Sequence, residues 1–350
     1  MKLSIPAALV LSLFFFGSEP GTTPQGTLQS VGSQGAVAGP TVLGDLRKFL
    51  EHMEVIEVDD GMGNMVTTIR FHGVNVQIVN GSGTTGGRTN GQGNLIVGYN
   101  ETRIGAGAVN DRSGSHNLIV GGEQNASSFG GFVTGRFNTV SGGFSSVSGG
   151  TNNTASGPYS SVSGGDSNTA SSYYSSVCGG FTNTASGNSS SVSGGRANTA
   201  YGHYSSVSGG NTNTAYGHYS SVSGGNTNTA SGFNSSVSGG LSNTASGDYS
   251  SVSGGRANTA SGSLSSVSGG NFGVASGSNS SVSGGGFGLA FGPGSSVSGG
   301  TLNTANGNSS SVSGGFINTA GGDVSSVSGG QIRNANGTSS WAAGSLFQTD

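Results

Sequence analysis

Few side chains in this sequence could do chemistry, and their spacing decides which chemistry is open. His203 and His218 stand fifteen residues apart in two copies of YGHYSS. Stacked one strand spacing apart they would offer two imidazoles, which without a carboxylate or third nitrogen is too few for a metal site. Residues 81–86, GSGTTG, carry the glycine spacing of a dinucleotide-binding turn. The residues that follow, GRTNGQGN, have no helical pattern to receive a pyrophosphate, so that reading fails. Serine is abundant, but no His and acid recur beside it as a nucleophilic triad needs. Glu51, Glu54, Glu57, Asp59 and Asp60 read as a solvated face and turn. The later Asp residues are too scattered for a calcium-binding nonapeptide roll. Cys178 is the only cysteine, so it is either a near-isostere of Ser or a crosslink between identical chains. No catalytic, cofactor-binding or metal-binding residue is expected. Any enzyme would have to find its site within residues 41–140.

What recurs is scaffold. SSV[SC]GG begins at residue 145 and returns every fifteen residues to 325, thirteen copies without insertion or deletion. The unit is written S1 S2 V3 S4 G5 G6 x7 x8 N9 T10 A11 S12 G13 x14 x15. Val and Ala at positions 3 and 11 are its only consistently apolar residues, and each sits in a period-2 context, S-V-S and T-A-S. That alternation marks two short strands with one side chain turned inward. The structural core is therefore assigned to Val147, Val162, Val207 and Val252 with Ala155, Ala200 and Ala245, and to their equivalents in the other copies. Asn at position 9 gives way to Gly at Gly273 and Gly288, which predicts a left-handed backbone there and an amide ladder between coils.

Fifteen residues close one flat coil, so the expected fold is all-β, a parallel β-roll or β-solenoid with two short strands per coil. Coils rising about 4.8 Å each would build a rod of roughly 65 Å. Burial of one Val and one Ala per coil contributes only ~2–3 kcal/mol, so lateral association of chains is expected to help. Positions 7, 8, 14 and 15 vary freely and read as exposed turns. The tyrosines at position 15, Tyr159, Tyr174, Tyr204, Tyr219 and Tyr249, are the candidate surface contacts.

Composition agrees. Gly accounts for 71 of 350 residues and only 7% are charged, too few bulky aliphatics for a conventional core and too regular a period for a random coil. The net charge of −3, with no basic stripe, excludes nucleic acid as a partner. Residues 1–18 read as a signal peptide, the apolar stretch being too short to span a bilayer. Residues 19–40 read as a flexible linker, and 41–80 as a helix plus strands. The helix is expected over 43–53, with Leu43, Leu46, Leu50 and Met53 at heptad spacing. Strands are expected at 55–58, 65–71 and 73–79 around the DDGMGN turn. Residues 81–144 are degenerate lead-in coils interrupted by an insertion at 101–116, and 145–345 are the regular repeats with a C-terminal cap. NLIVG at 94–98 and 117–121 puts Ile96 and Ile119 at the Val position and makes both strand faces apolar. WAAGS, 341–345, does the same with Trp341 and Ala343. Such ends read as caps or association sites over open sheet edges.

The phrase A-S-G-x-x-S-S-V-S-G, carried in one unit by Ala245, Gly247, Ser250, Val252 and Gly254, resembles the head repeats of YadA-type trimeric autotransporter adhesins. The resemblance covers about residues 94–345. It implies a left-handed parallel β-roll, three chains side by side as a homotrimer, and a bacterial surface location. Two departures stand out: positions 2 and 4 are Ser where the family is apolar, and no amphipathic barrel strands precede the final LFQTD, so no self-anchoring barrel is expected. The expected function is that of a secreted or cell-surface, non-enzymatic structural or adhesive head or stalk. Its partners would be copies of itself and a glycan, matrix or cell-surface ligand. The other class weighed is an ice-binding solenoid, in which outward S-x-S and T-x-S rows would form a flat hydroxyl array interrupted by Tyr201 and Tyr216.

Overall fold

A computed structural model describes residues 40–105 and 108–344. The stretch read as a signal peptide, nearly all of the expected linker, and Ser345 of the expected cap lie outside the described residues. The chain divides into two units, one ending at Val76 and the other beginning at Gln77.

In the first unit, helix α1 spans Pro40–Glu51 and is followed directly by an antiparallel hairpin of β1 (Met53–Asp59) and β2 (Met65–Phe71). The register pairs Met53 with Phe71 and Asp59 with Met65. The helix stops two residues short of the expected end, so Met53 begins a strand rather than completing a heptad. His52 makes the bend: its N–H donates to Phe49 O, and His72 N–H donates back to His52 O. Phe49 and Phe71 meet across the junction, ring centroids 6.2 Å apart. The DDGMGN turn closes on its own acids, with Asp59 accepting from the N–H groups of Gly61 and Gly63 and Asp60 from those of Met62 and Asn64. The strand expected at 73–79 does not form. Gly73, at φ +69°, turns the chain off the hairpin, and an alternating pattern without a partner edge makes no ladder.

The second unit is an all-β parallel solenoid. Each regular coil contributes two strands, as in Ser146–Val147 and Thr154–Ala155. From the first regular coil on, each strand pairs in parallel with its equivalent fifteen residues ahead, Val147 with Val162 and Ala155 with Ala170, up to Ser326 against Trp341. The Ser-Val ladder and the Thr-Ala ladder form the two faces. Val at position 3 and Ala at position 11 point into the gap between them and are buried in each of the coils from Val147 to Ala335. Two polar residues share that interior: Ser at position 1 and Asn at position 9.

Backbone hydrogen bonds explain the turns. Strand N–H groups donate forward to the next coil, as Ser146 to Ser160 O and Thr154 to Asn168 O. At positions 8 and 15 the N–H donates backward instead, Asn152 to Arg136 O and Tyr159 to Gly143 O. Reversing the peptide requires a left-handed residue, and these two positions hold φ values near +55° throughout, as Asn152 at +54° and Tyr159 at +58° do. The left-handed residue is thus position 8, not the Asn at position 9 that the sequence pattern indicated. Asn at position 9 has another role. Its Oδ1 accepts the N–H of the next coil's Asn, as Asn153 does for Asn168 at 2.9 Å. Its Nδ2 donates to a glycine carbonyl in its own coil and to one in the next, Gly149 and Gly165 for Asn153. In the regular coils the short amide of Asn supplies both the donor and the acceptor for that ladder. It runs to Asn258, which accepts from Gly273 N–H, and resumes at Asn303.

The lead-in coils are shorter. Leu118 pairs with Phe132 and Phe132 with Ser146, steps of fourteen residues. Gln124 takes the ladder position there, its extra methylene reaching Gly135 O while its Oε1 accepts from Asn138 N–H. Ahead of it, β3 (Leu95–Val97) pairs with β4 (Leu118–Gly122) across the insertion. The insertion folds over the start of the Thr-Ala ladder: Ala126 N–H donates to Asp111 O, and Gly114 N–H to Ala126 O.

Candidate functional site

The residues assigned to the core, Val147, Val162, Val207, Val252, Ala155, Ala200 and Ala245, are all at most 1% exposed. They carry the rod and present nothing to a ligand. The five tyrosines are on the opposite footing, each roughly half-exposed at position 15. Left-handed backbone aims them along one edge of the coil, where identical φ values bring neighbours into stacks. Tyr159 and Tyr174 lie 5.1 Å apart with rings 9° from parallel, and Tyr204 and Tyr219 lie 5.0 Å apart at 6°. Phe144 extends the first stack, and Phe129 meets Phe144 edge-on. Ser189 interrupts it before Tyr204. Phe233, from position 14, replaces the missing ring at Asn234 and bridges Tyr219 to Tyr249 edge-on, 5.6 Å to each. Stacking covers ring faces with other rings, so this edge offers phenol rims and hydroxyls rather than open faces.

His203 and His218 stack, ring centroids 4.7 Å apart. Their Nδ1 atoms are engaged, His218 accepting His203 N–H at 3.0 Å and His203 accepting Asn188 N–H at 3.3 Å. Asp248 and Asp323 do the same for Phe233 and Asn308 N–H. An acceptor at position 14 therefore caps the free N–H of the coil before it, a structural use that the sequence alone did not reveal. Among the described residues no three His, Cys, Asp or Glu side chains gather where a metal ion could sit.

The GSGTTG segment is a run of bends organised by Asn80, whose Nδ2 donates to Arg88 O and whose Oδ1 accepts from Ser82 N–H. The acidic residues are dispersed: Glu51 pairs with Arg47, Glu54 with Arg70, and Glu57 accepts from Thr67 Oγ1. Asp60 is held below the usual carboxylate range by the Asn64 side-chain amide, with the N–H groups of Met62 and Asn64 adding to it.

Two arginines of the insertion are residues the sequence pattern missed. Arg103 donates to the carbonyls of Glu123, Phe137 and Asn138 and to Thr139 Oγ1, tying two lead-in coils together. Burial lowers its proton affinity, and the charge of Arg112 lowers it further. Arg112 reaches the carbonyls of Asn100, Glu101 and Gln124. Arg136 is the reverse case, its proton affinity raised by its bond to Glu123.

The outward hydroxyls form columns rather than sites. Position 4 is exposed from Ser148 onward, with Cys178 taking one place in it. The Thr column at position 10 is half-buried and is broken by Val274 and Leu289, while Tyr201, Tyr216 and Phe291 interrupt position 12. No helix among the described residues is long and apolar enough to cross a membrane. Neither a known protein-family model nor a curated protein matches the chain.

Proposed function

We propose that the chain is an exported, non-enzymatic rod at the cell surface or in the extracellular space, similar in kind to a YadA-type adhesin head. Its coils supply length and a repeating surface, and copies of the chain associate side by side as a homotrimer. The observation that carries this reading is the unbroken fifteen-residue register from Val147 to Val327, in which strand after strand repeats with no cleft between coils. A surface that repeats its turn columns at every coil suits multivalent contact with glycans, matrix or a cell surface, where many weak contacts add up.

The test is localisation followed by binding. The full chain, expressed in its native cell, is sought by protease shaving and fractionation, and the purified chain is screened against immobilised glycans, matrix proteins and whole cells. Retention inside the cell with residues 1–18 intact would sink the export reading. Absence of saturable binding to every surface would leave a structural rod and remove adhesion.

A further inference from the structure

Position 8 changes character along the rod. In the early coils it holds small or polar residues, Asn152, Ser167, Thr182 and Ala197 among them. In the last five coils it holds Phe272, Phe287, Leu302, Ile317 and Ile332, all exposed. These form one uninterrupted apolar stripe along one edge, and its first two rings stack 4.8 Å apart.

Folding of a single chain does not call for this stripe. Position 8 is left-handed in every coil, with Ile317 at φ +56° and Ile332 at +52°. β-Branched side chains are among the least suited to that conformation, and Asn, found at the same position in Asn152, is among the best. The late coils thus place unfavourable residues in the turn and then leave them in water. Exposed apolar patches that are contiguous over this length mark interaction sites.

Resting on the self-association reading above, we propose that this stripe is where a second copy of the chain docks, rod against rod. A ridge with one side chain per strand spacing is matched at every step only by a ridge of the same spacing, which another copy of this solenoid provides. Charge points the same way. From Ala257 to Ile332 the only charged residue is Asp323, and it lies at position 14 on the other edge. The earlier coils carry Asp166 and Arg196 at position 7, next to the same column, where equivalent residues of two copies would repel, and Arg256 marks the near end of the stripe, its guanidinium lying over the Phe272 ring. The contact is therefore an edge contact of the late coils. The serine-rich faces, whose positions 2 and 4 lack apolar side chains, take no part in it.

Two measurements on the full chain test this. In a Cys178→Ser background, Leu302→Cys places one thiol at the centre of the stripe, where it meets its counterpart whether the rods run parallel or antiparallel. Mild oxidation should convert most of the protein to a disulfide-linked dimer, whereas Ser309→Cys, on the opposite turn of the same coil, should yield less than a tenth as much. The triple variant Phe287→Asn, Leu302→Asn, Ile317→Asn should retain the circular dichroism of the β-solenoid and raise the dissociation constant in sedimentation at least tenfold. A wild-type chain that stays monomeric at every concentration would overturn both the stripe and the self-association reading. A wild-type oligomer that the triple variant leaves intact, with equal crosslinking at 302 and 309, would overturn the stripe alone.

Discussion

The backbone N–H of Asn243 donates to Oδ1 of Asn228 at 2.9 Å, and Asn243 Oδ1 accepts the N–H of Asn258 at 3.0 Å. With Nδ2 donating to the carbonyls of Gly239 and Gly255, this residue joins three successive coils, its backbone N–H to the coil before and its buried side-chain amide to the coil after. Asn243→Ala keeps the backbone bond to Asn228 but strips the Asn258 N–H and the Gly239 and Gly255 carbonyls of their amide partner, so it should destabilise by roughly 3 kcal/mol. Equilibrium urea unfolding measures this, and a loss under about 0.5 kcal/mol would refute the ladder's importance.

Glycines in the repeat are not equivalent. A Cβ on Gly247 would lie 2.1 Å from Gly262 O in the next coil, whereas one on Gly254 would meet nothing within 4 Å. Gly247→Ala should therefore cost more than about 3 kcal/mol, and Gly254→Ala should change stability by less than about 1 kcal/mol. Similar losses for the two in denaturant melts would contradict the close approach at position 13.

Ser172 is the one regular position 13 that is not Gly. Its N–H turns to Ser175 Oγ, whereas Gly157 and Gly187 donate to the next coil's Ala carbonyl. Ser172→Gly should restore the stack and raise stability by about 1 kcal/mol. Slower amide exchange at position 172 and its neighbours in the variant is the local signature to look for.

The tyrosine stacks oppose two small terms. Stacking of Tyr204 on Tyr219 contributes about 1 kcal/mol, and holding a bulky residue left-handed costs a similar amount. Tyr204→Asn should therefore be nearly neutral. Tyr204→Val, which loses the stack and adds a branched Cβ, should cost about 2 kcal/mol. Equal effects from the two variants in thermal melts would show that the left-handed turn is not what sets the cost.

Acid should act on the hairpin turn late. The carboxyl of Asp60 is depressed in the folded state, so it stabilises the turn at pH above its unfolded value near 3.9. That contribution is lost only as pH falls through the lower folded value. NMR titration of the Met62 and Asn64 amides should show a midpoint below that of a free Asp, and Asp60→Asn should abolish the transition. A midpoint at the free value would remove the turn's carboxylate lock.

Much of this molecule was legible in one dimension because a solenoid repeats locally. Period-2 alternation around Val252 and Ala245 specified the strands, and the constant interval of fifteen specified their parallel register and the inward-facing residues. Even the amide ladder could be anticipated, since Asn recurs at one position. The three-dimensional arrangement was needed wherever a residue acts through its neighbour in another coil. The reversed peptides at positions 8 and 15 follow from which carbonyl each N–H can reach, and no residue type announces them when Tyr, Leu, Ile and Ala all occupy left-handed sites. Arg103 and Arg112 sit in an irregular insertion, so their clamps on distant carbonyls have no periodic signal. The helix that ends at Glu51 and the failed strand at 73–79 depend on a partner edge, which hydrophobic alternation cannot supply. Sequence periodicity set the coil and its interior; the stacking of coils decided which turns are strained, which polar groups are capped and which apolar residues remain on the outer edge.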